Sequence, residues 1–183
     1  MILPIVAYGD PVLKKRAETI TADYPGLEEL IDNMYETMYK SKGVGLAAPQ
    51  VGVSIRLFIT DGAPFDEEEV LKFKEVFINP VLLDEDGEPW KFNEGCLSIP
   101  TVREDVRRKE RIQLEYYDRN WKKHKRFFSG LAARIIQHEY DHVDGILFTD
   151  RISPLRKRLL KNKLTDISKG KVDVDYKMKF YTK

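Results

Sequence analysis

The sequence predicts an α+β fold in a single domain that spans residues 1–183. Two segments carry apolar residues at helical spacing, and several others alternate apolar and polar residues as strands do. Helical and strand segments do not follow one another regularly, which argues against a doubly wound parallel sheet. A chain of 183 residues is also long enough to bury a hydrophobic core of its own.

Two amphipathic helices are expected in this fold. The first covers residues 27–38, where apolar residues recur every three or four positions, and Gly43 follows its end. The second covers residues 129–143, with Ser129 as the capping residue at its start. Gly145 follows this helix, and glycine at such a position adopts the left-handed conformation that ends many helices.

Strands are predicted on both sides of an acidic segment. Residues 55–59 and 75–83 are rich in β-branched and aromatic residues, and the acidic residues 66–69 are expected on a surface loop between them. Residues 111–117 alternate apolar and polar side chains, and residues 121–128 are their expected hairpin partner. The apolar face of the first of these two strands carries Ile112, Leu114 and Tyr116.

The chain ends in a basic segment. Residues 151–183 hold eleven Lys and Arg against three Asp and Glu, a net charge of +8, whereas the whole chain carries +1. A third helix is predicted from Ser153 to about Ser168, and the apolar alternation after it predicts a strand. Two interpretations of the helix stay open: its basic face binds phosphate groups, or its charges only face water. The leucines expected to pack it on the domain are Leu155, Leu159, Leu160 and Leu164.

Composition limits where the chain is expected to work. No run of 18 apolar residues exists, so no transmembrane helix is expected, and the N-terminus lacks the pattern of a secretory signal. We therefore expect a cytoplasmic protein. Cys96 is the single cysteine and cannot form an internal disulfide, so it is either a small buried residue or a chemical group.

The second helix carries a metal-binding pattern. His138 and His142 lie four residues apart, which places both imidazoles on one face of the helix, one turn apart. Glu139 lies next to His138, where it can lean over a metal ion without binding it. This is the H-E-x-x-H arrangement, in which two histidines bind a metal and the glutamate is the general base. The alternative is a helix with two ordinary structural histidines.

Two further segments carry candidate functional groups. A catalytic metal usually has three protein ligands and an open position, and Cys96 is the candidate third ligand because a thiolate binds zinc or ferrous iron strongly. Residues 43–50 are either a glycine-rich turn or a loop whose backbone binds an extended ligand. In the second interpretation, Gln50 points its amide donor at a carbonyl oxygen.

Three motifs together resemble those of the peptide deformylases. The family pattern is G-x-G-L-A-A-x-Q, then E-G-C-L-S, then Q-H-E-x-D-H, and this chain reads GVGLAAPQ, EGCLS and QHEYDH in that order. The resemblance extends to GDPVLKKRA near the start and to DGILFTDRIS after the second helix. It implies an α+β fold in which antiparallel strands surround a central metal-binding helix.

The resemblance implies a metal-dependent hydrolase that removes the formyl group from N-formylmethionyl nascent polypeptides and releases formate. It implies one divalent metal ion, Fe²⁺ in the cell, which Zn²⁺, Ni²⁺ or Co²⁺ can replace. Glu139 would be the acid/base catalyst, and Gln50 with the backbone NH of Leu97 would form the oxyanion site. Matched by motif, the metal ligands would be Cys96, His138 and His142.

Substrate contacts follow from the same resemblance and from the helix geometry. Gly45 would hydrogen-bond the peptide backbone. Leu131 and Ile135 share a helix face with His138 and would form an apolar pocket for methionine, with core packing as their alternative role. Val44 would close the other wall of this pocket. The basic helix is expected to contact the ribosome, where formylated chains emerge, and no membrane or DNA partner is expected.

Two other functions stay open at the level of sequence. A general zinc endopeptidase would cleave internal peptide bonds, but its usual third ligand, a glutamate or histidine after the helix, is absent here. A metal-stabilised binding module would use a closed site with four ligands. Glu139 argues against that site, because a structural metal needs no base.

Asp141, just before His142, is expected to pair with Arg108 and to be structural.

Overall fold

The computed structural model describes residues 1–65 and 73–183, so the acidic residues 66–69 lie outside the described residues. Nine strands and three α-helices occupy the described part of the chain. The helices are α1 Leu27–Lys40, α2 Gly130–Val143 and α3 Pro154–Ser168. The strands are β1 Ile5–Val6, β2 Gly45–Ala47, β3 Leu57–Asp61, β4 Lys74–Asp86, β5 Trp90–Cys96, β6 Ile99–Arg108, β7 Arg111–Tyr117, β8 Lys123–Ser129 and β9 Met178–Lys179.

Five strands form an antiparallel sheet in the order β2-β3-β4-β7-β8. Its two faces pack against different helices, because successive side chains of a strand point to opposite faces. Phe58 of β3 joins a cluster with Ala133 and Ile136 of α2, whereas its neighbour Leu57 joins a cluster with Met34 of α1. The sheet is therefore covered by a helix on each side, and the predicted α+β class is confirmed.

Several predictions about individual elements are confirmed. The hairpin β7-β8 is present, and the three predicted core residues of β7 are buried: Ile112, Leu114 and Tyr116. Gly145 adopts a φ of +75° after α2. Ser129 does hold the capping position of α2, but its side chain makes no capping hydrogen bond, so its predicted contribution to the helix start is wrong.

The hairpin β5-β6 was not expected from the sequence. The buried positions of β6 alternate regularly with exposed ones, but two of the buried residues, Glu104 and Arg108, are charged. Both are buried in ion pairs, Glu104 with Arg156 and Arg108 with Glu94. Alternation of apolar residues, which is the usual signal of a strand, is therefore hidden in this segment.

The C-terminal segment corrects one expectation about α3. Ser153 caps the helix by accepting a hydrogen bond from the backbone NH of Arg156, at 3.2 Å. Leu164 is buried and Leu160 packs partly against the core, but Leu155 and Leu159 are each 62% exposed. The helix thus rests on the domain through its second half, because its first half carries these two leucines on the solvent side.

The tail after α3 has the predicted alternation of burial from residue 171 to residue 180. Only Met178–Lys179 is paired as a strand, in parallel with Ile5–Val6. Among the helices in the described residues, none has the length and apolar character needed to cross a bilayer.

Candidate active site

The three candidate metal ligands lie together in the structure. Helix α2 presents His138 and His142, and Cys96 lies at the end of β5. Their ligand atoms all lie within 4.8 Å of one another, and Cys96 Sγ is 3.4 Å from His142 Nε2. Tetrahedral coordination with a metal–sulfur bond of 2.3 Å and metal–nitrogen bonds of 2.0–2.1 Å places sulfur and nitrogen roughly 3.5 Å apart. The donor set and its spacing therefore fit one zinc-like or iron-like ion.

Glu94 orients the first histidine. His138 Nδ1 lies 2.9 Å from Glu94 Oε1, so the ring donates there and leaves Nε2 for a metal, the arrangement common to metal-binding histidines. Arg108 and Arg134 both donate to the same carboxylate. Burial raises the pKa of Glu94, but hydrogen bonds from His138 and Arg108 outweigh it and hold this pKa well below the usual range. Glu94 therefore stays ionised behind the ligand.

The two histidines have opposite electrostatic environments. Burial lowers the pKa of His138, but hydrogen bonds with Cys96 and Glu94 outweigh burial and raise it well above the ordinary value. Burial, followed by the charges of His138 and Arg108, lowers the pKa of His142 well below the ordinary value. Metal binding requires neutral imidazoles and releases protons, so His142 is already in the form that binds.

Glu139 is buried beside the candidate ligands. Its Oε2 atom has no hydrogen-bond partner among the described residues, which is unusual for a buried carboxylate oxygen. A Cβ atom at Gly45 would lie 2.7 Å from Glu139 Oε1, so only glycine allows this close approach. Burial raises the pKa of Glu139 to about 7, although the neighbouring His138 lowers it. A carboxyl group of this kind is suited to exchange protons near neutral pH.

Gln50 has a single orientation that its neighbours impose. Its Oε1 accepts from the backbone NH of Ala47 at 3.0 Å, so the NH₂ group must face the other way. That group lies 3.4 Å from Cys96 Sγ and 3.2 Å from Ser98 Oγ. The side chain is buried. An amide donor is therefore held beside the candidate metal ligands.

A cavity of 720 Å³ opens over this cluster. Its lining includes most of the residues that the sequence analysis proposed for catalysis, metal binding and substrate binding: Val44, Gly45, Gln50, Cys96, Leu97, Ile135, His138 and Glu139. Leu131 is not part of this lining. It shares a helix face with Ile135 and His138, but it lies two helical turns from His138 and is therefore farther along the helix axis from the candidate metal ligands. Further residues of the lining were not predicted to belong to the site, among them Phe92, Arg134 and Tyr176.

The comparisons with known proteins agree with this geometry. The family model for polypeptide deformylases matches residues 2–158. The chain belongs to the peptide deformylase family. A peptide deformylase of Christiangramia forsetii is 61% identical over 189 residues, which cover 98% of this chain and 96% of that protein. One from Flavobacterium psychrophilum is 57% identical over 192 residues, covering 100% of this chain and 99% of that protein.

The fold agrees with solved structures of the family. The crystal structure of a peptide deformylase from Legionella pneumophila superposes with a TM-score of 0.82 at 37% identity, covering 93% of this chain and 98% of that one. The resemblance drawn from the three motifs is therefore confirmed. Like other peptide deformylases, this chain is a metal-dependent hydrolase that removes the N-formyl group from nascent polypeptides. The endopeptidase and binding-module interpretations are not supported.

Sequence reasoning missed the residues that surround the ligands. Glu94 stands two positions before Cys96, and residues i and i+2 of a strand share a face, so this signal was available. Arg134 and Arg151 carried no comparable local signal. Arg134 lies over the Trp90 ring, 4.6 Å from its centroid, and Arg151 joins Asp141, which are contacts between segments distant in sequence or in different elements.

Proposed function

We propose that Cys96, His138 and His142 hold a single divalent metal ion at which this chain deformylates its substrate. The observation that supports this most directly is the mutual proximity of the three ligand atoms, all within 4.8 Å. Three protein ligands leave a position open, as in catalytic rather than structural sites. When bound, the ion supplies Lewis acidity, which lowers the pKa of water and polarises a carbonyl group.

Glu139 is the proposed acid/base catalyst. It takes the proton from the attacking water and passes it to the leaving amine, so the same carboxyl group acts twice. Its buried Oε2, which lacks a partner among the described residues, is a free acceptor for that proton. A cation held by the neighbouring ligands would lower its pKa and favour the ionised form that begins the reaction.

Gln50 and the backbone NH of Leu97 are the proposed oxyanion donors. The Gln50 amide has its NH₂ directed to Cys96, and its orientation is imposed by Ala47, so no reorganisation is needed when charge develops on the formyl oxygen. Leu97 directly follows the ligand Cys96 and lines the same cavity. Gly45, at the edge strand β2, is the proposed contact for the peptide backbone.

The methionine side chain is proposed to lie between Val44 and Ile135. Both are apolar residues of the cavity that also contains Cys96 and His138. Leu131 was expected to complete this pocket, and it has no place in the proposal because it does not line the cavity.

The decisive experiment is an assay of formate release from a formyl-Met-Ala-Ser peptide, under anaerobic conditions with the iron-loaded enzyme. Formate and a free methionine amine are the expected products. Cleavage of internal peptide bonds without formate release would refute the proposal. An unblocked peptide of the same sequence is the control, since it carries no formyl group and should not change.

We further propose Fe²⁺ as the metal in the cell and the cytoplasm as the compartment. A thiolate with two imidazoles suits ferrous iron or zinc, and nascent formylated chains are made in the cytoplasm. Air can oxidise ferrous iron, and it can also oxidise the Cys96 thiolate that binds the iron. The iron-loaded enzyme should lose activity in air faster than the nickel-loaded one, and equal survival would argue against iron.

A contact between the basic helix α3 and the ribosome is also proposed. Arg158 and Lys161 are exposed on this helix and form no ion pair within the described residues. Ribosomal RNA offers dense phosphate groups for such a face. The whole chain, residues 1–183, is proposed to form one catalytic domain, with α3 and the tail packed on it.

A further inference from the structure

The tail beyond α3 forms part of the active-site wall. Residues 173–176 line the same cavity as Cys96, Leu97 and His138. Within this segment, the Tyr176 hydroxyl donates to the backbone carbonyl of Leu97 at 2.7 Å. The match to the family model ends at residue 158, so this contact comes from a part of the chain that the family model does not cover.

Leu97 occupies a backbone segment that is held on several sides. The backbone NH of Tyr8 donates to the Ser98 carbonyl at 2.9 Å, and Gln50 Nε2 donates to Ser98 Oγ at 3.2 Å. The Tyr176 hydroxyl adds the restraint on Leu97 itself. The Leu97 carbonyl belongs to the peptide plane that follows Leu97, and the Leu97 NH belongs to the plane that precedes it. A hydrogen bond to the carbonyl therefore restrains the NH through the Leu97 Cα atom that joins these two rigid planes.

The tail is held in place by hydrogen bonds to the N-terminal strand β1. Strand β9 pairs in parallel with β1, with Ile5 opposite Met178. The backbone NH of Ile5 donates to the Lys177 carbonyl at 2.9 Å, directly beside Tyr176. The same N-terminal segment continues to Tyr8, which bonds Ser98, so one stretch of chain ties both the tail and the Cys96–Ser98 segment.

A second polar contact of residues 173–176, made by Asp175, is weak. Lys42 Nζ lies 3.9 Å from Asp175 Oδ2, and both side chains are more than four-fifths exposed. Such exposed pairs contribute little in water. The Tyr176 hydroxyl, which lies in a half-buried position, therefore makes the stronger of these two polar contacts.

We propose that Tyr176 is a positioning residue for deformylation, which orients the Leu97 backbone NH toward the developing oxyanion. This rests on the oxyanion role proposed for Leu97. A half-buried phenol remains a donor at neutral pH, so its hydrogen bond to the Leu97 carbonyl persists through the reaction. The effect belongs to the transition state, because charge develops on the formyl oxygen only there.

The test compares Tyr176→Phe with the parent enzyme and with Tyr181→Phe. The first change removes only the hydroxyl and keeps the ring in the cavity wall. Tyr181 lies on the same tail, 45% exposed, and serves as the matched control. All three proteins are assayed for formate release from a formyl-Met peptide at equal metal content, with kcat and KM determined separately and the melting temperature recorded.

We expect Tyr176→Phe to lower kcat about 10-fold, which is less than the 10²–10³-fold cost of removing an oxyanion donor outright. KM and the melting temperature should stay close to those of the parent, and Tyr181→Phe should change nothing. An unchanged kcat in Tyr176→Phe would overturn the proposal. So would a fall in kcat that comes with a lower melting temperature or lost metal, since that pattern indicates a merely structural role.

The outcome also separates this proposal from the proposed function. A parent enzyme without formate release would refute the deformylation site itself. A parent with normal formate release and a Tyr176→Phe variant of equal kcat would refute only the positioning role. Tyr176→Leu, which removes the ring as well, should in addition raise KM because it opens the cavity wall.

Discussion

Arg108 donates through Nη1 to Asp141 Oδ2 at 2.8 Å, with both side chains buried. This pair confirms the partner predicted for Asp141 from the sequence. Arg108 also donates to Glu94, which in turn receives the hydrogen bond from His138, so the pair connects the back of α2 with the ligand that faces the cavity. Arg151 adds a second cation to Asp141.

The Asp141→Asn substitution is expected to lower stability more than it alters catalysis. Asp141 accepts hydrogen bonds from two arginines, and breaking a buried pair leaves Arg108 without full compensation, at a cost of about 3 kcal/mol. The free energy of unfolding, measured by urea titration, should fall by this amount. The remaining folded enzyme should keep its kcat.

Asp86→Asn is the matched control for this experiment. Asp86 pairs with Arg111 on the surface, where ion pairs contribute little, so this variant should unfold like the parent. If Asp141→Asn altered the kinetics while leaving stability intact, Asp141 would belong to the catalytic machinery and not to the support of α2.

Glu139→Gln is expected to retain the metal and to lose most turnover. The amide has the same shape as the carboxylate but cannot accept the proton from water, and loss of a general base costs about 10²- to 10⁴-fold. Metal content by mass spectrometry and formate release should be measured on one preparation. Turnover close to that of the parent at full metal occupancy would exclude Glu139 as the base.

Cys96→Ser and Glu94→Gln should form a graded series in metal affinity. Glu94 orients His138 without touching the ion, and removal of such a partner typically costs about 10- to 100-fold in affinity. Removal of the Cys96 thiolate should cost more, because it is a direct ligand. Competition with a chelator gives both values. Equal metal affinity in Cys96→Ser and the parent would contradict the proposed ligand set.

The ribosome contact predicts a specific salt dependence. Arg156 already pairs with Glu104, and Lys157 with Asp150. We therefore expect the exposed residues Arg158 and Lys161 to bind the phosphate groups. Changing both to glutamine should weaken co-sedimentation with ribosomes at low salt. The slope of log affinity against log salt should fall by about 2, one for each phosphate group that is no longer neutralised.

Two exposed lysines elsewhere, Lys15 and Lys125, provide the control when changed to glutamine together. That variant carries the same change in charge, so it should sediment with ribosomes as the parent does. Hydrolysis of a short formyl peptide should be unaffected in both variants. Absence of co-sedimentation in the parent, or equal weakening in the control, would leave α3 as a helix that only covers the core.

The sequence by itself determined the chemistry of this protein. His138 and His142 lie on one face because they are four residues apart in one helix, which is a matter of local geometry. Cys96 is the single cysteine, so it was the one candidate for a thiolate ligand. Both helices that cover the sheet were predicted from local signals. The first followed from a repeat of apolar residues every three or four positions, and the second from Ser129 at its start and Gly145 after its end.

The tertiary structure alone decided how these groups are supported. The ion network of Glu94, Arg108 and Asp141 joins a strand pair to α2. The hairpin that carries it was not predicted, because charged residues occupy two of the buried positions of β6 and interrupt the apolar alternation. The hydrogen bond between Tyr176 and Leu97 spans 79 residues. Such contacts depend on strand register and on the closure of long segments, which no pattern of neighbouring residues encodes.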